Sequence, residues 1–215
     1  LVQTATQIET AADFLTGLVG KGGKILFVGT KKQAQVSIKE TAESTGQPYV
    51  CERWLGGMMT NLNTIRRSIK RMVELETMET DGRMAEYVKQ EQSMLRRELN
   101  RLNIRLNGIR DLNSKPDAMF IVDIKREHNA LAEARRLRVP IVAIVDTNTD
   151  PTLVDYPIAG NDDAIRSIKA ILDPLVQPII DARAAYNATS EKLKAEADKK
   201  TDHSKDISTK PSAST

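Results

Sequence analysis

Apolar residues follow two rhythms along this chain. Residues 24–29 (KILFVG), Ala118–Val122 and Ile141–Val145 are short, fully apolar runs, the mark of strands buried on both faces. Tyr49 and Val50 indicate a further short strand, and residues 156–158 a weaker one. Between the runs, apolar positions recur every three or four residues. Ile8, Ala11, Ala12, Leu15, Leu18 and Val19 form one such stripe, closed by Gly20 and Gly22-Gly23. Further helices are predicted from a Thr30 cap to about Ser44, over residues 127–137, and from Asp162, capped by Asn161, towards Tyr186. Strands separated by helices of this length imply right-handed βαβ units and a mainly parallel sheet covered on both faces.

Residues 61–110 abandon this alternation for a helical pattern alone. Leu62, Ile65, Ile69 and Met72 mark a first limb, and Val88, Leu95, Leu99, Leu102, Leu106 and Ile109 a second, with Asp81-Gly82 as the reversal between them. Two heptad limbs joined by a turn predict an antiparallel coiled-coil hairpin inserted into the α/β body and projecting from it. Residues 1–60 and 111–186 then form one discontinuous body, 61–110 the insertion, and 187–215 a disordered tail poor in large apolar residues.

Charge changes the picture of the insertion. The whole chain carries a net charge of only +3, with 40% hydrophobic and 28% charged residues, which is ordinary for a soluble protein. The insertion concentrates the excess: eleven Lys and Arg stand against seven Asp and Glu, a surplus of four. A narrow apolar seam serves one partner helix, so the charged faces remain for a polyanion. No apolar run approaches the ~20 residues of a membrane span, and no signal peptide is visible. A lone cysteine, Cys51, fits a reducing compartment. The chain opens on Leu1 inside a helical pattern, so an upstream segment is expected to have been processed, trimmed or left out.

Candidate chemistry is sparse. Phe27-Val28-Gly29-Thr30-Lys31-Lys32 is a strand, a glycine turn and a helix start, but it lacks both the Walker and the dinucleotide glycine spacing. Lys31 and Lys32 are therefore read as solvated or as touching a nucleic-acid backbone. Asp146-Thr147-Asn148-Thr149-Asp150 begins like a calcium loop, then places Pro151 where the turn glycine belongs and Pro157 where the bidentate glutamate belongs. Asn161-Asp162-Asp163 is explained by helix capping. His128 stands without a triad or a metal cluster. No catalytic residue, metal ligand or cofactor is expected. The sharpest local signal is Arg53-Trp54-Leu55-Gly56-Gly57-Met58-Met59-Thr60-Asn61, in which Trp54, Gly56 and Gly57 read as a structural hinge at the base of the rod and Thr60 or Asn61 as the cap of its first limb.

FVGTKKQA (residues 27–34), RWLGGMMTN (53–61), AIVDTNTDP (143–151) and YPIAGNDDAIRSI (156–168) resemble, in order and spacing, the bacterial and organellar form of the ribosomal protein S-two family. The chain departs from that family's pattern in lacking its opening glycine-histidine-phenylalanine segment, in Asn107-Gly108 for a Gly-Gly pair, and in Ala159 for proline. The resemblance implies a flavodoxin-like three-layer α/β/α body with a projecting coiled-coil hairpin. It also implies a place in the small subunit of a cytoplasmic bacterial or an organellar ribosome, contact with ribosomal RNA and other subunit proteins, and a part in docking ribosomal protein S-one. A structural role without enzymatic activity follows, with no membrane and no small-molecule substrate. RNA-binding residues are expected to be Lys31, Lys32, Arg53, Arg66, Arg67, Lys70, Arg71, Arg96, Arg97, Arg101 and Arg105, neutralising phosphates without reading bases. Aromatic residues make up only 4% of the chain, which favours folded RNA over a stacking platform for single strands.

Overall fold

Strands β1 (Ile25–Val28), β2 (Tyr49–Val50), β3 (Ala118–Val122), β4 (Ile141–Val145) and β5 (Tyr156–Ala159) pair in parallel in the order β2-β1-β3-β4-β5. This is a computed structural model, which describes the backbone of residues 2–207 and the side chains of residues 2–190. Every residue of β1, β3 and β4 is buried, as their unbroken apolar runs require. Successive side chains leave opposite faces of a strand, so alternate residues feed two cores. Phe27, Phe120 and Ile144 enter one, and Leu26, Met119 and Ala143 the other. Pro157 lies in edge strand β5, where a missing N–H is tolerated. The result is the expected three-layer, flavodoxin-like arrangement.

Helices α1 (Val2–Val19), α2 (Lys32–Thr45) and α6 (Ile165–Ile207) cover the first face, with Leu15, Ile38 and Leu172 fully buried against it. The second face is covered by α5 (His128–Leu137), by Trp54, Met58 and Met59 from the segment after β2, and by apolar residues of the central helices. Helix α6 continues to Ile207, well past the boundary at residue 187 where composition placed a disordered tail. Its Ala, Glu, Lys and Leu content propagates a helix already nucleated by packing, so lack of apolar side chains alone does not end it. Residues 208–215 of that expected tail lie outside the described residues. Among the described residues, no helix is long and apolar enough to cross a membrane.

The central region forms α3 (Leu62–Thr80) and α4 (Lys89–Leu106), joined through Asp81-Gly82 and a single 3-10 turn, Arg83–Glu86. Gly82 adopts φ 79°, a left-handed conformation that suits glycine at the reversal. Met72 and Leu75 are fully buried and Leu99 is 6% exposed, while Leu95 and Leu102 pack half-buried against the same cluster. Ion pairs between the two helices join Arg71 to Glu98 and Glu79 to Arg96, and Glu76 pairs with Arg110, which follows α4. An antiparallel coiled coil meets its partner in strictly reverse order along the chain. Arg71 with Glu98 and Glu79 with Arg96 run in that reverse order, so α3 and α4 form a packed antiparallel pair. Leu99→Ala should cost roughly 2–5 kcal/mol by opening a cavity in that pair. Hydrogen exchange should accelerate in α3 and α4 while β1 and β3 keep their protection; equal loss across the sheet would refute a local effect.

Three capping expectations meet different fates. Thr30 does not cap α2, because both its amide and its hydroxyl donate to the buried Glu127. Neither Thr60 nor Asn61 caps α3 with its side chain: Thr60 is drawn to Glu133, and Asn61 Oδ1 accepts from the Thr64 hydroxyl at 3.0 Å. For the two threonines, a buried or half-buried carboxylate from another element outcompetes the local cap. Asn161 Oδ1 accepts the N–H groups of Asp163 and Ala164 at 2.7 and 3.0 Å, which closes a turn ahead of α6, since that helix begins at Ile165 and not at Asp162.

Candidate nucleic-acid interface

The link between sheet and helical pair is held by one carboxylate. Glu133, on α5, accepts from the Trp54 indole at 3.0 Å, from the amides of Gly57, Met59 and Thr60 at 2.8, 3.0 and 3.0 Å, and from the Thr60 hydroxyl at 3.1 Å. Gly57 takes φ 83°, which lets its N–H turn towards the same carboxylate. Trp54 is 6% exposed and lies in the buried cluster that includes Met58 and Ile65. Gly56, by contrast, is exposed, and a Cβ added there would meet nothing within 4 Å. Burial favours the neutral form of Glu133, but the hydrogen bonds from Trp54, Thr60, Met59 and Gly57 outweigh it and hold the carboxyl below its ordinary pKa. No motif in the sequence signals this role, since a glutamate in EARR reads as one more solvated helical charge.

The expected RNA-binding residues divide into three groups. On α3, Arg66, Arg67 and Lys70 are exposed, as are Arg97, Arg101 and Arg105 on α4, and none of the six enters an ion pair among the described residues. Arg97, Arg101 and Arg105 follow at steps of four, so they share one helical face with about 6 Å of rise between them. Lys32 and Arg53 are likewise exposed and unpaired among the described residues. Arg71 and Arg96 are engaged, with Glu98 at 3.1 Å and Glu79 at 3.4 Å. Such half-exposed pairs contribute only about 0–1 kcal/mol, so an incoming phosphate competes with them readily.

Lys31 stands apart. Its ammonium lies 3.4 Å from Asp123, 2.8 Å from Asp162 and 2.5 Å from Asp163, and its side chain is only 13% exposed. Burial works against its charge, yet the hydrogen bonds to Asp162 and Asp163 and the field of Asp123 raise its pKa above the ordinary lysine value. This is an internal cation, not one offered to a phosphate. The cluster sits at the carboxyl ends of β1, β3, β4 and β5, around the β1–β3 boundary where strand order reverses and parallel α/β sheets usually bind ligands. Asp123 adopts φ 65°, a strained conformation that aspartate tolerates, while its other oxygen accepts the Arg126 N–H at 3.0 Å. Beside it, Glu127 is 3% exposed, and burial raises its pKa despite the Thr30 bonds and nearby Arg126. Among the described residues no nucleophile–base pair is present in this cluster, whose one ammonium faces three carboxylates.

The sequence profile of the family described as Ribosomal protein S2 matches residues 1–182. Small ribosomal subunit protein uS2 of Mycolicibacterium vanbaalenii is 50% identical over 198 residues, covering 92% of this chain and 72% of that protein. The protein of the same name from Mycobacteroides abscessus is 48% identical over 198 residues, covering 91% and 72%. That from Mycolicibacterium gilvum is 48% identical over 199 residues, covering 92% and 71%.

Proposed function

The chain belongs to the ribosomal protein S2 family, and from that premise we propose that it binds folded ribosomal RNA of the small subunit through phosphate contacts made by α3, α4 and the segment at Arg53. Its relatives carry the name of a structural protein of that subunit, not of an enzyme. The observation that carries the RNA reading is the set of six exposed cations on two packed helices, none with an acidic partner among the described residues. Exposed arginines contribute little to folding. Their placement instead suits counterion release on a phosphate backbone. Glu133 and Trp54 supply the rigid link that positions this surface relative to the sheet. The seat of the protein is accordingly the ribosome, with small-subunit RNA and neighbouring subunit proteins as its partners.

Co-sedimentation tests the proposal. The protein should travel with small subunits at low salt and leave them as salt rises, because each phosphate contact weakens as the counterion concentration grows. Retention independent of salt would refute a phosphate-based mode. A part in docking ribosomal protein S-one rests on the family resemblance. Subunits reconstituted without this chain should lose S-one, and full S-one occupancy on such subunits would remove that role.

A further inference from the structure

We infer that the end of α5 carries a second phosphate-binding surface for RNA, made by Arg135, Arg136 and Arg138. It lies outside the cations on α3, on α4 and at Arg53, and it rests on the RNA reading of those residues. All three side chains are exposed, and none enters an ion pair among the described residues. Arg135 and Arg138 border a cleft of about 340 Å³ between the end of α5 and the 3-10 turn Pro151–Leu153. The one carboxylate in that lining, Asp155, already accepts the Ile141 N–H at 2.8 Å. Arg136 stands one turn past Glu133, whose carboxylate holds Trp54 next to Arg53. The α5 cluster therefore adjoins the basic surface at the base of the helical pair.

The backbone supplies a second observation. Helix α5 closes on a left-handed turn: Arg138 N–H donates to Arg135 O at 3.1 Å, Val139 N–H donates to Ala134 O at 2.9 Å, and Arg138 itself takes φ 54°. Glycine is the residue this closing position favours, because a Cβ there crowds its own backbone. An arginine costs stability that glycine would not, and beyond the last turn a cation gains little from the helix dipole. Folding gives no offsetting use for the Arg138 guanidinium, which points to a partner outside the chain. The planar fork of arginine matches the oxygens of a phosphate. A protein partner is disfavoured, because protein interfaces are anchored by large apolar side chains. Among the described residues, none of the exposed large apolar side chains lies on α5 or in the cleft.

Filter binding of the full chain to small-subunit RNA across a salt series tests this surface. Arg135→Gln and Arg136→Gln combined with Arg138→Gly should flatten the dependence of log affinity on log salt by about 2 in slope, since each lost phosphate contact contributes about 0.7–0.9. Arg138→Gly alone should raise the thermal unfolding midpoint by about 2–4 °C, by relieving the left-handed arginine, and still weaken RNA binding at low salt. Stability gained with no loss of binding would remove Arg138 from the surface. The variant lacking Arg97, Arg101 and Arg105, measured alongside, separates the two surfaces. If its slope flattens while that of the α5 variant equals the parent's, the α5 surface is overturned and the α4 reading stands. A parent chain whose RNA affinity ignores salt would overturn both. Weaker retention on small subunits with an unchanged RNA slope would give the α5 cluster to an acidic protein and overturn its assignment to RNA.

Discussion

Replacing Arg97, Arg101 and Arg105 together with alanine should flatten the dependence of log affinity on log salt, for binding to small-subunit RNA, by roughly 2–3 in slope. Each phosphate contact contributes about 0.7–0.9 to that slope, and the three guanidinium groups sit on one face of α4. The fold should survive. All three side chains are exposed, none enters an ion pair among the described residues, and alanine is the best helix former. At low salt the variant should bind weakly, and the gap from the parent should close as salt rises. Replacing the carboxylate-engaged pair, Arg71 and Arg96, should change the slope less, because both are partly neutralised before RNA arrives. Filter binding across a salt series gives the answer. An unchanged slope in the triple variant would take α4 out of the RNA surface and leave α3 and Arg53 to carry it.

Glu133→Ala should lower stability by roughly 3 kcal/mol, a large effect for a half-buried helical residue. It strands the Trp54 indole and the Gly57, Met59 and Thr60 amides at once, and hydrogen bonds to a charged acceptor are worth about 1.5–3 kcal/mol each before water replaces some of them. The pH dependence has a definite sign. Although burial pushes the Glu133 carboxyl up, its donors hold the folded pKa below that of the unfolded chain. Its contribution is therefore complete above the unfolded value of about 4.3 and is lost as pH falls through the folded value. Thermal melts of the parent and Glu133→Gln should be furthest apart near neutrality and draw together as pH falls below the unfolded value of about 4.3. A constant separation down to pH 3 would show that the Glu133 charge does not hold the segment.

Much of this protein was determined by local pattern. The bounds of β3 and β4 follow from runs of apolar residues, because a strand buried on both faces admits nothing else. The reversal at Asp81-Gly82 and the Asn161 turn follow from local preferences acting over a few residues. The basic character of residues 61–110 is likewise a property of the chain itself. What the tertiary structure alone decided is where the polar groups go. Lys31 looked like a phosphate ligand and became an internal cation, satisfied by Asp162 at a separation of 131 residues. Thr30 and Thr60 looked like caps and were claimed by Glu127 and Glu133, 97 and 73 residues away. Apolar burial repeats with the geometry of the element that carries it, so it can be read along the chain. A buried polar atom must instead be matched by one particular donor or acceptor, and which one is within 3 Å depends on how whole elements pack.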